Sequence, residues 1–290
     1  MQAALLSVSH HLGALRDDES LPSLNDLLKD TCRQSYRRID RFVQLALVGS
    51  APCVQGGKLH ADCGIYMGST HGPLTSNIRV QEQMLRGREL PKPFNFVNTL
   101  GSIAGFYIAD NLQLSGPSLF VSRYGRSLEA ALEIALTDLA AGAVEQALVG
   151  VVEEAPLPLD NQRLRLRVDA DVALGEGSHW MLLGPSAQSS PQRRVGLQRY
   201  TGAGELESYL ASHVEASTAV CLGRCLGPNT ARLVRRYFPE AVDAGHLPLP
   251  FHDSIEAAWF VDQLANGKAG GVLLVNGSDD GDRCLLHLGA

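Results

Sequence analysis

Short runs of consecutive apolar residues alternate along this chain with longer stretches in which apolar positions recur every three or four residues. The short runs predict strands at 3–8, 64–68, 118–122, 146–152, 179–183, 194–198, 218–222, 270–275 and 283–288. The spaced stretches predict helices at 24–31, 40–49, 75–86, 99–112, 127–141, 204–214, 229–237 and 253–266. The strands lack regular polar alternation, so they read as buried on both faces. Such strands alternating with helices imply an α/β protein with mainly parallel sheets. One stretch reads as a hinge, Pro156-Leu157-Pro158-Leu159-Asp160-Asn161, followed by the charged run 163–171, and a second polar patch covers 188–194. These divide the chain near its middle, into expected units of 1–155 and 156–290.

Composition narrows the function classes. At 290 residues, 45% apolar and 19% charged, the chain is globular, with enough length for one large domain or two small ones. A net charge of −6 with no lysine and arginine run argues against nucleic acid and anionic lipid as partners. No stretch of about 20 apolar residues occurs, so no membrane span is expected. The apolar run 3–8 has no basic residue before it, and two histidines follow, which argues against a secretory signal. Six scattered cysteines in a chain this large read as reduced thiols, and the expected location is cytoplasmic. Cys221 and Cys225 have a CxxxC spacing with no second pair or nearby histidine cluster. They read as a buried structural pair, and neither a metal nor a cofactor is expected.

The most informative segment is 116–132, Gly-Pro-Ser-Leu-Phe-Val-Ser-Arg-Tyr-Gly-Arg-Ser-Leu-Glu-Ala-Ala-Leu, which reads as a buried strand, a sharp turn and a helix opening at about Ser127. That order resembles the strand, elbow and buried helix of the β-ketoacyl synthases, the condensing enzymes of fatty acid and polyketide synthesis. In that family the turn presents a cysteine at a helix N-terminus, where unpaired N–H groups and the helix dipole favour a thiolate. Here the matching position is Gly125, which has no side chain to acylate.

Further segments carry the same resemblance in the same order. Residues 40–46, Asp-Arg-Phe-Val-Gln-Leu-Ala, resemble the family's early DRF.Q.A helix, and Gly68-Ser69-Thr70-His71-Gly72-Pro73 resembles its G...G turn. Residues 93–98 resemble its P..F.N segment, Leu148 to Glu153 its LVGG.(D/E) strand, and Leu174-Gly175-Glu176-Gly177-Ser178 its LGEGA entry to the next strand. The resemblance covers nearly the whole chain and weakens in the C-terminal half. It implies a thiolase-like, duplicated αβαβα layered fold with a reduced C-terminal half.

The departures matter as much. The family needs two histidines to decarboxylate a malonyl thioester and stabilise the enolate. The first falls at Leu222, in Leu222-Gly223-Arg224-Cys225-Leu226; for the second, His252 remains, with Leu247 where a lysine would stand. The terminal N.FGFGG turn is reduced to Asn276-Gly277-Ser278-Asp279-Asp280.

A ketosynthase-like chain without its nucleophile resembles a chain length factor, which pairs with an active ketosynthase in type II polyketide systems and serves an acyl carrier protein through that complex. The resemblance implies an interface built on antiparallel pairing of the strand Ser118, Leu119, Phe120, Val121 and Ser122 with its counterpart across a two-fold axis. It further implies an acyl channel bordered by Phe94, Phe96, Asn98, Phe106 and Tyr107; the plain alternative is that these are core aromatics. A narrower similarity is to the compact ketosynthase-like proteins of bacterial aryl polyene clusters. The competing class is an active enzyme with a displaced nucleophile, at Ser127, Ser122 or Cys63. Cys63 follows Leu59-His60-Ala61-Asp62, a local Cys, His and Asp group, whereas Ser127 is better explained as an N-cap. His252 is either a remaining acid or base or a structural histidine, and Arg123, Tyr124 and Arg126 either fill the old site or lie at the surface.

Overall fold

In the computed structural model, which describes residues 1–15, 20–185, 193–212, 218–267, 270–279 and 281–289, the chain opens with β1 (Gln2–Ala14), α1 (Asn25–Thr31), α2 (Arg41–Cys53) and β2 (Gly64–Gly68). It continues through α3 (Leu74–Leu85), α4 (Pro93–Val97), α5 (Ile103–Leu112), β3 (Ser118–Val121), α6 (Ser127–Ala140) and β4 (Ala147–Glu153). Then come α7 (Leu159–Leu166), β5 (Gly175–Gly184), β6 (Arg194–Tyr200), α8 (Ala203–Ser212) and β7 (Thr218–Leu222). It closes with α9 (Pro228–Tyr237), β8 (Val242–Asp243), α10 (Ile255–Asn266), β9 (Gly271–Gly277) and β10 (Arg283–Gly289).

The sheet order is β3-β2-β4-β5-β1-β6-β10-β9-β7-β8, and it contains a duplication. In the first half β2 runs parallel to β3 and β4, then β5 and β1 follow antiparallel. In the second half β7 runs parallel to β8 and β9, then β10 and β6 follow antiparallel. The two halves join where Gln2 to Ala4 of β1 pair with 194–196 of β6.

One apolar cluster unites residues of α6 (Leu132, Leu136) and α10 (Phe260, Leu264) with strands of both halves (Val149, Met181, Val195, Leu274). These two helices are the central layer. A second cluster packs α2 and α5 on the outside of the first half, and a third packs α8 and α9 on the outside of the second. The result is the layered αβαβα arrangement, leaner in its second half, which carries three of the ten α-helices among the described residues.

The expectation of mainly parallel sheets is corrected: the sheet is mixed. Residues 278–282 between β9 and β10 are too few for the crossover that a parallel pair needs, so β10 returns antiparallel. The hinge reading is corrected as well, because 159–166 form α7, and β5 beyond it pairs with β4 and β1. The expected boundary at 155 and 156 precedes both elements.

The helix expected over 99–112 starts only at Ile103, as α5, and a separate short helix, α4, ends at Val97 before it. Between them Gly101 lies against the Phe120 ring, where a Cβ would overlap it. The first strand runs on to Ala14 because His10 and His11 pair with His179 and Ser178 of β5. β8, only two residues long, has no sequence signal. The polar patch at 188–192, the end of the helix expected over 204–214, and Asp280 lie outside the described residues. Among the described residues no helix is long and apolar enough to cross a membrane.

Candidate functional site

β3 is held on one side by β2, in the register Ile65 to Ser118 through Gly68 to Val121, and is the last strand on its edge. The chain leaves it through a tight turn. The Ser122 hydroxyl donates to the Thr70 carbonyl (2.8 Å), and Tyr124 adopts a left-handed conformation, φ +48°. That conformation costs a residue with a Cβ roughly 1 kcal/mol or more, so surrounding contacts must hold it. Ser127 supplies one: its Oγ accepts the Arg123 N–H (3.0 Å) and reaches the carbonyls of Tyr124 (2.8 Å) and Ser69 (3.0 Å). The expected N-cap at Ser127 is therefore corrected. Arg126 occupies the cap, without a side-chain cap bond, and Ser127 is the first helical residue.

Gly125 sits at the mouth of this turn. Its carbonyl accepts from Asn276 Nδ2 (2.9 Å), which also donates to Glu129 Oε1 (3.0 Å) on the buried first turn of α6. Asn276, from the end of β9, thus ties the turn to the helix behind it. Two acids lie buried here. Burial pushes the Glu129 carboxyl up to about 7, and it raises that of Glu256, on the first turn of α10, against the pull of Arg224.

A Cβ built on Gly125 would stand 2.8 Å from Cys225 Sγ and 3.5 Å from Glu256 Oε1. Cys225 is exposed while Cys221 is buried, so the expected buried pair is corrected. The loop after β7 turns the second thiol toward the elbow. Leu222 is placed elsewhere: it is buried in the outer cluster with Val220, Leu233 and Val275.

His252 does not reach Gly125 either. It is fully buried and stacks on His179, ring centroids 5.2 Å apart, with the two Nε2 atoms 3.3 Å apart. Its Nδ1 accepts the Ser254 N–H (3.2 Å), so the proton of neutral His252 sits on Nε2 and is donated to His179. His179 then carries its own proton on Nδ1, a buried atom with no hydrogen-bond partner. Burial pushes His252 down to about 4 and His179 well below its ordinary value.

Gly177, from the LGEGS segment, makes room for this pair; a Cβ there would collide with His179 and come within 2.9 Å of His252 Nε2. Beside it, Glu153 accepts from Thr70 N (2.7 Å), Thr70 Oγ1 (2.8 Å), Ser254 Oγ (2.6 Å) and Ser69 Oγ (3.2 Å). One buried carboxylate so joins the Gly68–Pro73 turn to the segment that carries His252. Burial and the Asp253 charge push it up to about 7, while the four donors pull it back.

The proposed displaced nucleophiles are not prepared for attack. The Ser127 hydroxyl is buried and occupied. Cys63 is buried, and burial pushes its thiol up to about 12. His60 Nδ1 pairs with Glu145, so the local Cys, His and Asp group does not assemble around the thiol. His60, Asp62 and Glu145 do bring ligand atoms within 4.8 Å of one another at the surface, as exposed acidic groups commonly do.

Around the free edge of β3 the molecule is apolar and exposed. Leu119 (42%) and Tyr124 of the strand and turn, and Phe106 (62%) of α5, which packs beside β3, are large and solvent-facing; Phe94, Phe96, Val97 and Leu100 of the α4 region are exposed as well. Of the other residues expected here, Ser118 and Ser122 are exposed and Tyr107 and Phe120 half-buried. Asn98 is buried, and Tyr107 packs edge-on between Phe106 (5.4 Å) and Tyr36 (5.2 Å). Phe120 points inward against Gly101 and Phe42, Ser118 Oγ lies against Gly105, and Ser122 is held by Thr70. Leu119 was expected at the interface from the family resemblance; Leu100 was missed as a surface residue because an apolar residue in a helix lead reads as core. Sequence reasoning missed Cys225, Glu129 and Glu256 because nothing local shows which loops meet.

Residues 13–164 match the β-ketoacyl synthase N-terminal domain, more than half of the chain, which belongs to that family. The fold is shared along the full length with solved structures. One described as the ishigamide ketosynthase/chain length factor superposes with a TM-score of 0.68 at 19% identity, covering 99% of this chain and 98% of that one. A β-ketoacyl synthase from Burkholderia phymatum STM815 gives 0.66 at 15% identity, with 99% of each chain covered. A structure of the ketosynthase ApeO in complex with its chain length factor ApeC, from Xenorhabdus doucetiae, gives 0.53 at 15%, covering 98% of this chain and 100% of that one. A comparison with curated proteins finds no match.

Proposed function

We propose that this chain is a chain length factor: a ketosynthase-like subunit that does not condense acyl groups itself, pairs with an active ketosynthase and shapes its acyl channel. The observation that carries the reading is the exposed aromatic face around the unpaired edge of β3, next to an elbow with glycine at its tip. An edge strand that exposes Leu119, with α5 and its exposed Phe106 packed beside it, leaves both backbone donors and apolar area uncovered, and a partner strand would satisfy both. A second copy of the same fold supplies such a strand by two-fold symmetry. Two of the similar structures are described with a chain length factor, which supports the pairing.

The chemistry agrees. Gly125 offers no nucleophile, Leu222 faces an outer core, and His252 is locked neutral against His179. Phe94 and Phe96 are exposed aromatic side chains, and bulk of that kind along an acyl channel would limit a growing chain. The system is a type II polyketide synthase of the aryl polyene kind, with acyl carrier protein reached through the complex. The first half, through β5, carries the elbow and the β3 edge, and the second half the supporting layer.

Reconstituted elongation on carrier protein tests this. Activity requires both chains, disappears when the partner's nucleophile is replaced, and survives Gly125→Ala here. Phe96→Ala shifts products to longer chains. Turnover by this chain alone, at Ser127 or Cys63, contradicts the reading.

A further inference from the structure

The glycine at the elbow leaves space that a thiol from another loop uses. Cys225 is exposed, and its Sγ is the nearest atom, at 2.8 Å, to where a Gly125 side chain would begin. This places the thiol at the N-terminal end of α6, a helix of 14 residues whose cap makes no side-chain bond. First-turn N–H groups and the helix dipole there favour negative charge on an attacking sulfur or on a carbonyl oxygen beside it. Arg224 and Arg126 add positive charge that acts on the same thiol.

An independent feature points into the same space. Glu256 is 2% exposed, yet neither carboxylate oxygen has a hydrogen-bond partner. Arg224 Nε forms a looser ion pair at 3.5 Å, and Oε1 faces the Gly125 and Cys225 side. A buried carboxylate left without donors is costly unless something nearby gives it a proton. Burial raises both the Cys225 thiol and the Glu256 carboxyl, while Arg224 and Arg126 pull the thiol back down.

We propose that Cys225 is an acyl-accepting thiol, with Glu256 as its base, that takes an acyl group from a thioester. Glu256 removes the Sγ proton as the sulfur attacks the thioester carbonyl carbon. A new carbon–sulfur bond forms at Cys225, the bond to the leaving thiol breaks, and Glu256 returns the proton to that thiolate. One thioester replaces another, so no further reactant is required. This is why a thioester, rather than a less activated ester or acid, is the fitting class.

The proposal goes beyond the pairing reading and does not rest on it. The test is intact-mass analysis of the purified chain after incubation with octanoyl-N-acetylcysteamine thioester, with iodoacetamide labelling in parallel. One octanoyl adduct, mapped to Cys225, is expected. It is absent in Cys225→Ala, and in Glu256→Gln it forms at least tenfold more slowly with a flattened pH dependence, while iodoacetamide still labels Cys225. An adduct on Cys63 or Ser127, an adduct that survives Cys225→Ala, or no adduct at all overturns the proposal. Assembly with a ketosynthase is read separately, so either idea can fail without the other.

Discussion

Glu154 has one carboxylate oxygen accepting the Thr75 N–H (2.6 Å) and the other buried without a partner, and burial pushes its carboxyl up to about 8. A folded value above the unfolded one means that its contribution to stability is fully present below about 4.5 and is lost as pH rises through 8. Glu154→Gln keeps the acceptor and removes the charge. The variant should therefore gain melting temperature at pH 8.5 and show little change at pH 5; equal shifts at both would contradict this. His252 has the opposite sign. Its folded value is depressed to about 4, so its contribution is present above about 6.5 and lost as pH falls toward 4. Replacing it with glutamine should flatten the fall in melting temperature over that window. At this scale the sequence was informative where a residue is missing and silent where residues meet. Gly125 stood out because a strand and a helix flank it. The approach of Cys225 and Glu256 to Gly125 could not be read, because it brings a loop and a helix start 31 positions apart to a third segment.

Among the elements, the lead into α5 shows how packing overrides periodicity. The pattern over 99–112 reads as one helix, but Gly101 is needed as a break because the Phe120 ring occupies the place of a Cβ. The ring is rigid and is itself packed against Phe42, so Gly101→Ala should cost about 1–3 kcal/mol in a denaturant titration. An unchanged midpoint would show that the turn relaxes freely. β3 makes the complementary case. Its four residues were legible as a strand from their apolar run, but its place at an edge followed only from the family resemblance, since burial on both faces and exposure on one give the same run. Leu119→Asp should leave the melting temperature of the chain alone within a degree or two while weakening assembly at least tenfold.

For the whole molecule, the duplicated order emerges from elements that carry no repeated sequence. Strand positions were mostly legible; their directions were not, because direction depends on the length and path of each connection. The stretch 156–161 looked like a hinge for its prolines, yet it leads into α7 and then into β5, which fills the middle of the first half-sheet. Among the described residues the sheet ends in two edges, the two-residue β8 and β3, and it is β3 that has exposed Leu119, with exposed Phe106 of α5 beside it, and a glycine elbow behind it. The most direct measurement is the molecular mass, by size-exclusion chromatography with light scattering, of this chain co-expressed with the ketosynthase encoded nearest to it. The account predicts a one-to-one complex that Phe106→Asp and Leu119→Asp each dissolve. A chain that elutes as a monomer beside that ketosynthase, or a complex indifferent to both substitutions, would contradict it.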